Sequence, residues 1–175
     1  MSLQYIYYSM KVQSYRSEKV KVEKSPLHGK GLIAVKAIKK HEIVAIKGGH
    51  IIDKKTYKAK RTIIGDASCQ IADEFFLAPL TKEEYKDVMI FINHSCQPNV
   101  GFMGNVIFIA LENIKKNTEL TLDYGFYKNE KNYTFSCVCK RKNCRKTITG
   151  EDWKIKTLQK KYKPYFSTYL QKKMS

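Results

Sequence analysis

The sequence lacks three features that would place it in a membrane or outside the cell. No apolar run approaches the roughly 18 to 20 residues that a membrane-spanning helix needs. Residues 1–10 have neither the charged start nor the continuous apolar stretch of a signal peptide. There is no even set of cysteines, and the five present argue against a disulfide framework. We therefore expect a soluble protein inside the cell, in the cytoplasm or nucleus, without a membrane partner.

Acidic residues are also scarce. The chain has 16 Asp and Glu against 33 Lys and Arg, which gives a formal net charge of +17. A surface of this charge attracts nucleic acid, nucleosomes or acidic proteins. The lysines are nevertheless spread along the whole chain, which equally fits a lysine-rich protein whose lysines only hydrate the surface. Both interpretations stay open.

The chain has 175 residues, of which 43% are hydrophobic and 28% charged, and it contains no repeat or low-complexity segment. This composition suits one globular domain with a real core, as a monomer or a dimer. Residues 53–68 should form a loop with some helix. Thr81 and Glu84 have capping-box spacing and predict a helix over 82–90. Pro164 should break the aromatic C-terminal tail into two helices. Short strands are predicted around residues 20–22, 31–37, 43–46, 70–77, 106–111 and 119–124, so the fold class is a β-rich α+β domain.

A polar segment, Asn93-His94-Ser95-Cys96-Gln97-Pro98-Asn99, follows the apolar residues 88–92. One interpretation is an ordinary loop after a helix, whose short side chains bond to the backbone. His94 alone is more typical of a structural histidine than of a catalyst. Cys96 differs, because three more cysteines begin 41 residues downstream.

Those three cysteines, Cys137, Cys139 and Cys144, lie within eight residues and have the spacing of metal ligands. Structural zinc sites are tetrahedral and commonly use four cysteines. The fourth ligand could be Cys96, Cys69 or a nearby histidine. We choose Cys96 because Cys69 lies beside an apolar strand and suits a buried small hydrophobe. The alternative interpretation is that the three cysteines are free thiols. If a zinc ion is bound, it would hold the C-terminal segment against the 93–99 loop.

Two further motifs carry weaker signals by themselves. The run 119–126 is a strand that ends in Tyr124 and is followed by a glycine, which also fits a tyrosine at a sheet edge. The run 27–32 contains Gly29-Lys30-Gly31, and such a turn brings backbone amides close to a ligand but occurs in many hairpins.

Together and in this order, the motifs resemble those of the SET-domain lysine methyltransferases. The resemblance covers residues 19–150 and rests on His28-Gly29-Lys30-Gly31-Leu32, the 93–99 segment, Glu119-Leu120-Thr121-Leu122-Asp123-Tyr124-Gly125 and the cysteine-rich residues 135–145. It implies small curved sheets with a pseudoknot built by 91–99 and 119–126, followed by a C-terminal helix. The implied organisation is an N-terminal extension (1–18), a SET domain (19–134), a post-SET zinc-binding segment (135–150) and a basic, aromatic helical tail (151–175).

The resemblance also implies a cosubstrate, S-adenosylmethionine, and a structural zinc. Tyr124 matches the catalytic tyrosine. The positions that bind S-adenosylmethionine in the family fall on Gly29, Lys30, Gly31, Asn93, His94, Tyr124 and Phe135. The zinc ligands fall on Cys96, Cys137, Cys139 and Cys144.

Two departures from the family pattern concern the substrate. The position two before the catalytic tyrosine is usually Phe or Tyr; here it is Leu122, which favours di- or trimethylation. Residues 53–90, which normally form one wall of the peptide groove, are short and divergent. Candidate channel residues there, besides Leu122, are Tyr57, Phe76 and Tyr85, some of which should be plain core.

The expected partner is a protein that presents a lysine, such as a histone or another chromatin protein. The positive charge would repel basic tails, so either an acidic groove is formed by the carboxylates within 66–87, or the enzyme docks on a nucleosome or nucleic acid beside its substrate. If the source is an intracellular bacterium, the host nucleus is the expected site of action. The alternative function is a catalytically silent, zinc-stabilised module that binds nucleic acid or peptides, which leaves the 93–99 and 119–126 motifs unexplained.

Overall fold

The structure, a computed structural model, describes residues 11–174. The strands in this part of the chain are β1 Tyr15–Arg16, β2 Val20–Lys24, β3 Lys30–Ala34, β4 Ile43–Ile46, β5 His50–Asp53, β6 Cys69–Gln70, β7 Phe75–Ala78, β8 Asn93–His94, β9 Val100–Met103, β10 Ile107–Ala110, β11 Glu119–Leu122, β12 Thr134–Ser136 and β13 Thr147–Thr149. The helices are α1 Lys54–Ala59, α2 Arg61–Ile64, α3 Lys82–Val88, α4 Lys156–Tyr162 and α5 Thr168–Lys173.

The strands form one large sheet and two small ones. The large sheet runs β1-β4-β10-β9-β11-β3-β2, with β8 pairing to β11 off this path. The small sheets are β5-β7-β6 and β12-β13. The prediction of a β-rich α+β fold with SET-like small sheets and helix at the C-terminus is confirmed. The 11–18 segment, predicted as an extension, contributes β1 to the edge of the large sheet.

Alternating sequence explains strand β2 at the other edge. Val20 is buried and Val22 packs against the core, while Lys21 and Glu23 point to solvent. A strand places successive side chains on opposite faces, so this two-residue period buries one face only. The central strand β9 is instead buried at three of its four positions.

The C-terminal tail is what covers β9. A Cβ added at Gly101 would lie 2.7 Å from the Cβ of Tyr165, so the tail packs directly on the strand backbone. The fully buried rings of Phe126 and Phe166 lie 4.6 Å apart and join the tail to the main core. Pro164 lies in a short 3-10 helix between α4 and α5, as predicted. No helix of the described chain has the length and apolar character needed to cross a bilayer.

The 93–99 segment lies along β11, to which β8 is paired in parallel. The backbone N–H of Ser95 donates to the Leu122 carbonyl at 3.0 Å. The Asn99 side chain accepts from the Thr121 N–H at 2.8 Å and donates to the Glu119 carbonyl at 2.9 Å. The two segments predicted to build the pseudoknot are therefore in direct contact.

Two predicted elements have different bounds in the structure. The strand predicted over 70–77 is a hairpin, in which residues 71–74 form a turn between β6 and β7. Helix α3 begins as predicted, with the Thr81 hydroxyl accepting from the Glu84 N–H at 3.3 Å, but it ends at Val88 instead of residue 90. Met89 leaves the helix with extended backbone, and its carbonyl accepts from the Arg16 guanidinium at 2.7 Å.

Candidate active site and metal centre

The turn at residues 29–31 requires glycine at two positions for different reasons. Gly29 has a φ of +50°, a conformation that favours glycine. At Gly31 a Cβ would lie 2.3 Å from Oε1 of Glu119. That carboxylate also accepts from the Ser25 hydroxyl at 2.8 Å. Glu119 therefore anchors the turn, a role that the sequence analysis did not assign to this first residue of β11.

Asn93 also fixes this turn. Its side-chain N–H groups lie 3.1 Å from the carbonyl oxygens of both His28 and Lys30, and 2.8 Å from Oε1 of Glu119. An amide with two hydrogens shared among three acceptors is held in one orientation. Asn93 thus ties the glycine turn to β8 and β11.

A cavity of about 780 Å³ opens beside this turn, a size within the range of small-molecule sites. Six of the seven residues predicted to bind S-adenosylmethionine line it, and Gly31 does not. Its walls comprise Leu27, His28, Gly29, Lys30, Arg61, Asp66, Tyr85, Met89, Phe91, Ile92, Asn93, His94, Tyr124, Asn132, Tyr133, Thr134, Phe135, Ser136 and Val138. Asn132 and Tyr133, which precede the predicted Phe135, carried no signal in the sequence analysis.

A second, narrow cavity of about 40 Å³ adjoins the first. Leu122 lines only the narrow cavity, whereas Tyr124 lines both. Apolar side chains form most of its wall. The residues common to both cavities are Asp66, Met89, Phe91, Ile92 and Tyr124. Tyr124 therefore lies at the junction of the large cavity and the narrow, largely apolar one.

Two of the candidate channel residues lie elsewhere. The rings of Tyr57 and Phe76 stack on each other, with centroids 4.0 Å apart, in a small core beside the main one. Neither residue lines either cavity. Their aromatic character reflects packing between α1 and β7, whereas Tyr85, the third candidate, lines the large cavity.

The Tyr124 hydroxyl donates to the Ile92 carbonyl at 2.9 Å. Burial, with the nearby carboxylates of Asp66 and Glu119, raises the pKa of this phenol above its ordinary value. Tyr124 is therefore neutral across the physiological range and remains a hydrogen-bond donor. Ile92 follows Phe91, whose φ of +63° turns the chain at the wall of both cavities.

His94 connects Tyr124 to the cysteine cluster. Its Nδ1 accepts from the backbone N–H of Tyr124 at 3.2 Å, so the ring proton belongs on Nε2, which lies 3.4 Å from Sγ of Cys96. Burial lowers the pKa of His94 to about 4, which keeps the ring neutral at physiological pH. The Phe135 ring lies edge-on to His94, with centroids 5.4 Å apart.

The four predicted metal ligands, Cys96, Cys137, Cys139 and Cys144, come together with their sulfur atoms within 4.8 Å of one another. Sγ of Cys96 lies 3.9 Å from Sγ of Cys137. A tetrahedral zinc with bonds of about 2.3 Å holds its sulfurs about 3.8 Å apart, so the cluster fits such an ion.

Backbone amides also point at these sulfurs. The N–H groups of Arg145, Cys139 and Lys146 donate to the sulfurs of Cys96, Cys137 and Cys144 at 3.3, 3.5 and 3.4 Å. Such donors stabilise thiolate ligands. Cys69, the other candidate for the fourth position, is apart from the cluster, on the wall of the narrow cavity, where burial raises the pKa of its thiol to about 11.

Arg145 links the cluster to the tyrosine, and sequence reasoning did not find this role. Its guanidinium makes two hydrogen bonds to the fully buried Asp123 at 2.6 and 2.7 Å, and a third to Asp152 at 2.9 Å. Only the fold reveals that Arg145, the residue after Cys144, faces the residue before Tyr124.

Comparison with known proteins gives one family match and several curated relatives. Residues 29–125 match the family model described as "SET domain". Histone-lysine N-methyltransferase trithorax of Drosophila virilis is 33% identical over 142 residues, which are 74% of this chain and 4% of the relative. Human histone-lysine N-methyltransferase 2B is 30% identical over 143 residues, 75% of this chain and 5% of the relative. Histone-lysine N-methyltransferase set1 of Dictyostelium discoideum is 28% identical over 145 residues, 76% of this chain and 10% of the relative. The chain thus spans a small part of these proteins.

Proposed function

Because this chain belongs to the SET domain family, we propose that it is a protein-lysine N-methyltransferase that uses S-adenosylmethionine. The observation that carries the proposal is the position of Tyr124 at the junction of a wide and a narrow cavity. A nucleoside cosubstrate in the large (wide) cavity and a lysine side chain in the narrow cavity would meet beside the Tyr124 hydroxyl. The names of the relatives, all histone-lysine N-methyltransferases, support a histone-type acceptor.

The wide cavity offers groups of the right chemistry for the cosubstrate. When bound, S-adenosylmethionine supplies a methyl group activated by its sulfonium. The backbone of Gly29 and Lys30 would approach its amino-acid part, and the Phe135 ring would pack on its adenine. His94 would contribute mainly through its backbone, since its ring is already engaged by Tyr124 and Cys96.

The chain's own residues would then act by positioning and desolvation. A lysine amine must lose its proton before it can attack, and its ordinary pKa is about 10.4. The apolar lining of the narrow cavity disfavours the charged form and so lowers that pKa. The Ile92 carbonyl and the Tyr124 hydroxyl can orient the amine and the electropositive methyl group. Leu122 offers no hydroxyl to hold a water molecule there, which favours di- or trimethylated product.

The cysteine cluster would hold a structural zinc ion. Four thiolates leave no open coordination position, so the metal would take no part in the chemistry. Its role would be to hold the 137–144 segment, and with it Phe135, against the 93–99 loop. The large cavity would lose one wall without it.

Two measurements test the function. Calorimetry should detect S-adenosylmethionine binding to the purified chain. Methyl transfer from labelled cosubstrate to core histones, and separately to a cell lysate with the acceptor identified by mass spectrometry, should yield methyl-lysine. Absence of both binding and transfer would contradict the proposal.

Binding without transfer would support the alternative, a silent module that only recognises peptides or nucleic acid. Tyr124 and His94 contact each other and line one cavity together with the glycine turn, which supports the active enzyme. The calorimetric and transfer assays distinguish the two functions directly.

We also propose nucleic acid, as in a nucleosome, as a docking partner. The turns at 39–40 and 115–116 are neighbours, since Ile38 pairs with Ile114, and His41 contacts Tyr165 of the tail at 3.2 Å. The lysines of these two turns, and those of the tail shortly before Tyr165, are exposed and form no ion pair within the described chain: Lys39, Lys40, Lys115, Lys116, Lys160, Lys161 and Lys163. Phosphate binding by such a face predicts an affinity for duplex DNA that falls steeply with salt. An affinity that stays flat from low to moderate salt would contradict it.

A further inference from the structure

The acidic stretch 66–87 raises a question about the substrate, because it holds six of the chain's 16 carboxylates. Four of the six are already engaged within the fold. Their partners lie 2.8 to 3.0 Å away: Asp73 with Lys173, Glu74 with Lys54, Glu84 with His50 and Asp87 with Lys11. A fifth, Glu83, hydrogen-bonds at the start of α3, which lowers its pKa. These five carboxylates are therefore engaged elsewhere, and none of them lines either cavity.

Asp66 is the exception. It is exposed, and within the described chain it forms no hydrogen bond and no ion pair. It lines both cavities, together with Tyr124. The other charged residues on those walls are cationic: Lys30 and Arg61 in the large cavity and Lys47 in the narrow one. Asp66 is thus the single carboxylate on either wall in the described structure.

The surrounding chain fixes the position of Asp66. Gly65 before it has a φ of +50°, and a Cβ added there would lie 3.2 Å from the Tyr85 ring. Ile64, at the end of α2, is fully buried, and Ala67 is 1% exposed. Asp66 is therefore an exposed residue between buried neighbours, which hold its backbone beside the junction of the two cavities.

We propose that Asp66 receives the ammonium group of the incoming acceptor lysine at the mouth of the narrow cavity, where it opens into the large one. This inference rests on the proposed function, because it assumes that a lysine enters there. A chain of net charge +17 repels cationic substrates at long range. A carboxylate at the point of entry places a negative charge beside the lysine and attracts its ammonium group there. A hydrogen bond between a carboxylate and an ammonium group is among the stronger ones.

Reception and reaction need different protonation states of the lysine. The carboxylate of Asp66 favours the charged ammonium at the mouth, whereas the apolar side chains of Phe91, Ile92 and Leu122 favour the neutral amine inside. Asp66 should therefore contribute to binding of the acceptor and little to the chemical step. It is a substrate-positioning residue, which makes its role separable from that of Tyr124.

The test is a binding measurement that does not depend on turnover. Two fluorescent peptides are compared, both with alanines around the central residue, which is lysine in one and norleucine in the other. S-adenosylhomocysteine is present to occupy the cosubstrate site and prevent transfer. We expect the ratio of lysine-peptide affinity to norleucine-peptide affinity to be about tenfold lower in Asp66→Asn than in the wild type, as the loss of one charge-assisted hydrogen bond warrants.

Glu112→Gln is the matched control, because Glu112 is exposed, forms no ion pair in the described chain and lies on neither cavity. It removes the same charge and should keep the wild-type ratio. A ratio that persists in Asp66→Asn, or that falls equally in Glu112→Gln, would overturn the proposal.

Kinetics separate this inference from the proposed function. If the wild type transfers methyl groups, Asp66→Asn should raise KM for the lysine peptide about tenfold and leave kcat and KM for the cosubstrate within about twofold. If Asp66→Asn instead lowered kcat and left KM for the peptide unchanged, Asp66 would not be the residue that binds the incoming lysine. If no acceptor is methylated but the lysine-to-norleucine ratio still depends on Asp66, the proposed function fails and the lysine-binding site stands.

Discussion

The phenolic hydroxyl of Tyr124 donates to the carbonyl oxygen of Ile92, 32 residues earlier in the chain, at 2.9 Å. This bond aims the hydroxyl along the wall shared by the two cavities. We predict that Tyr124→Phe keeps the fold, because the ring contacts with His94 and Phe135 remain, but lowers the transfer rate about a hundredfold or more. Transfer of labelled methyl groups, with circular dichroism to monitor folding, checks this.

A matched control is Tyr165→Phe, whose hydroxyl contacts His41 at 3.2 Å on the surface of the tail. It removes the same atom and should leave the transfer rate unchanged. Full turnover by Tyr124→Phe would remove the basis for assigning this tyrosine.

We predict that zinc binding depends on the four cysteines of the cluster and not on Cys69. Cys139→Ser should purify without stoichiometric zinc, whereas Cys69→Ala should retain it, since Cys69 is apart from the cluster. Without the ion, the Phe135 wall of the large cavity should loosen, and S-adenosylmethionine affinity should fall about tenfold or more. Elemental analysis and calorimetry measure the two effects. Equal zinc in both variants would contradict the assignment.

Arg145 predicts a strong coupling with Asp123. Removing the guanidinium in Arg145→Met leaves a fully buried carboxylate without its cation, which should lower the free energy of unfolding by about 3–5 kcal/mol. The double variant Asp123→Asn, Arg145→Met should recover part of this loss, because the asparagine oxygen can still accept from the Gly125 N–H. Urea unfolding of the wild type and the variants gives the comparison. A double variant no more stable than Arg145→Met would show that the buried charge is not the cause.

The sequence was informative wherever local chemistry decides the structure. Thr81 begins α3 because a hydroxyl three residues before a free N–H can cap a helix, and Pro164 separates α4 from α5 because it cannot continue a helix. Cys96 could be linked to the distant cysteines because four-coordinate metals need a fourth ligand. Each of these inferences needs only residue types and spacing.

Other features depend on tertiary contacts that spacing does not encode. The 71–74 turn is held by the tail, since the Tyr169 hydroxyl donates to Asp73 at 2.7 Å across 96 residues. Tyr57 and Phe76 were plausible channel aromatics by composition, but packing placed them in a separate core. Asp66 could be distinguished from its five acidic neighbours only when their partners were known.

Lys47 predicts a specific pH dependence of stability. Lys47 is 6% exposed, its Nζ donates to the Val88 carbonyl at 2.6 Å, and burial lowers its pKa to about 7. The unfolded lysine has a pKa of about 10.4, so between pH 7 and pH 10 the unfolded chain holds a proton that the folded chain has released. Stability then rises with pH over this window, by up to about 1.4 kcal/mol per pH unit from this group alone.

Lys47→Met removes that titration while keeping a linear side chain in the cavity wall. The variant should therefore be more stable than the wild type at pH 6, where the wild type buries an ammonium group, and its advantage should shrink as the pH rises to 9. Other groups titrate in both proteins, so their effects cancel in the difference of the two urea-unfolding free energies. Lys40→Met, at an exposed position, should differ from the wild type by an amount that does not change with pH. A flat difference for Lys47→Met as well would mean that the buried amine keeps its ordinary pKa, with the Val88 carbonyl compensating for the lost water.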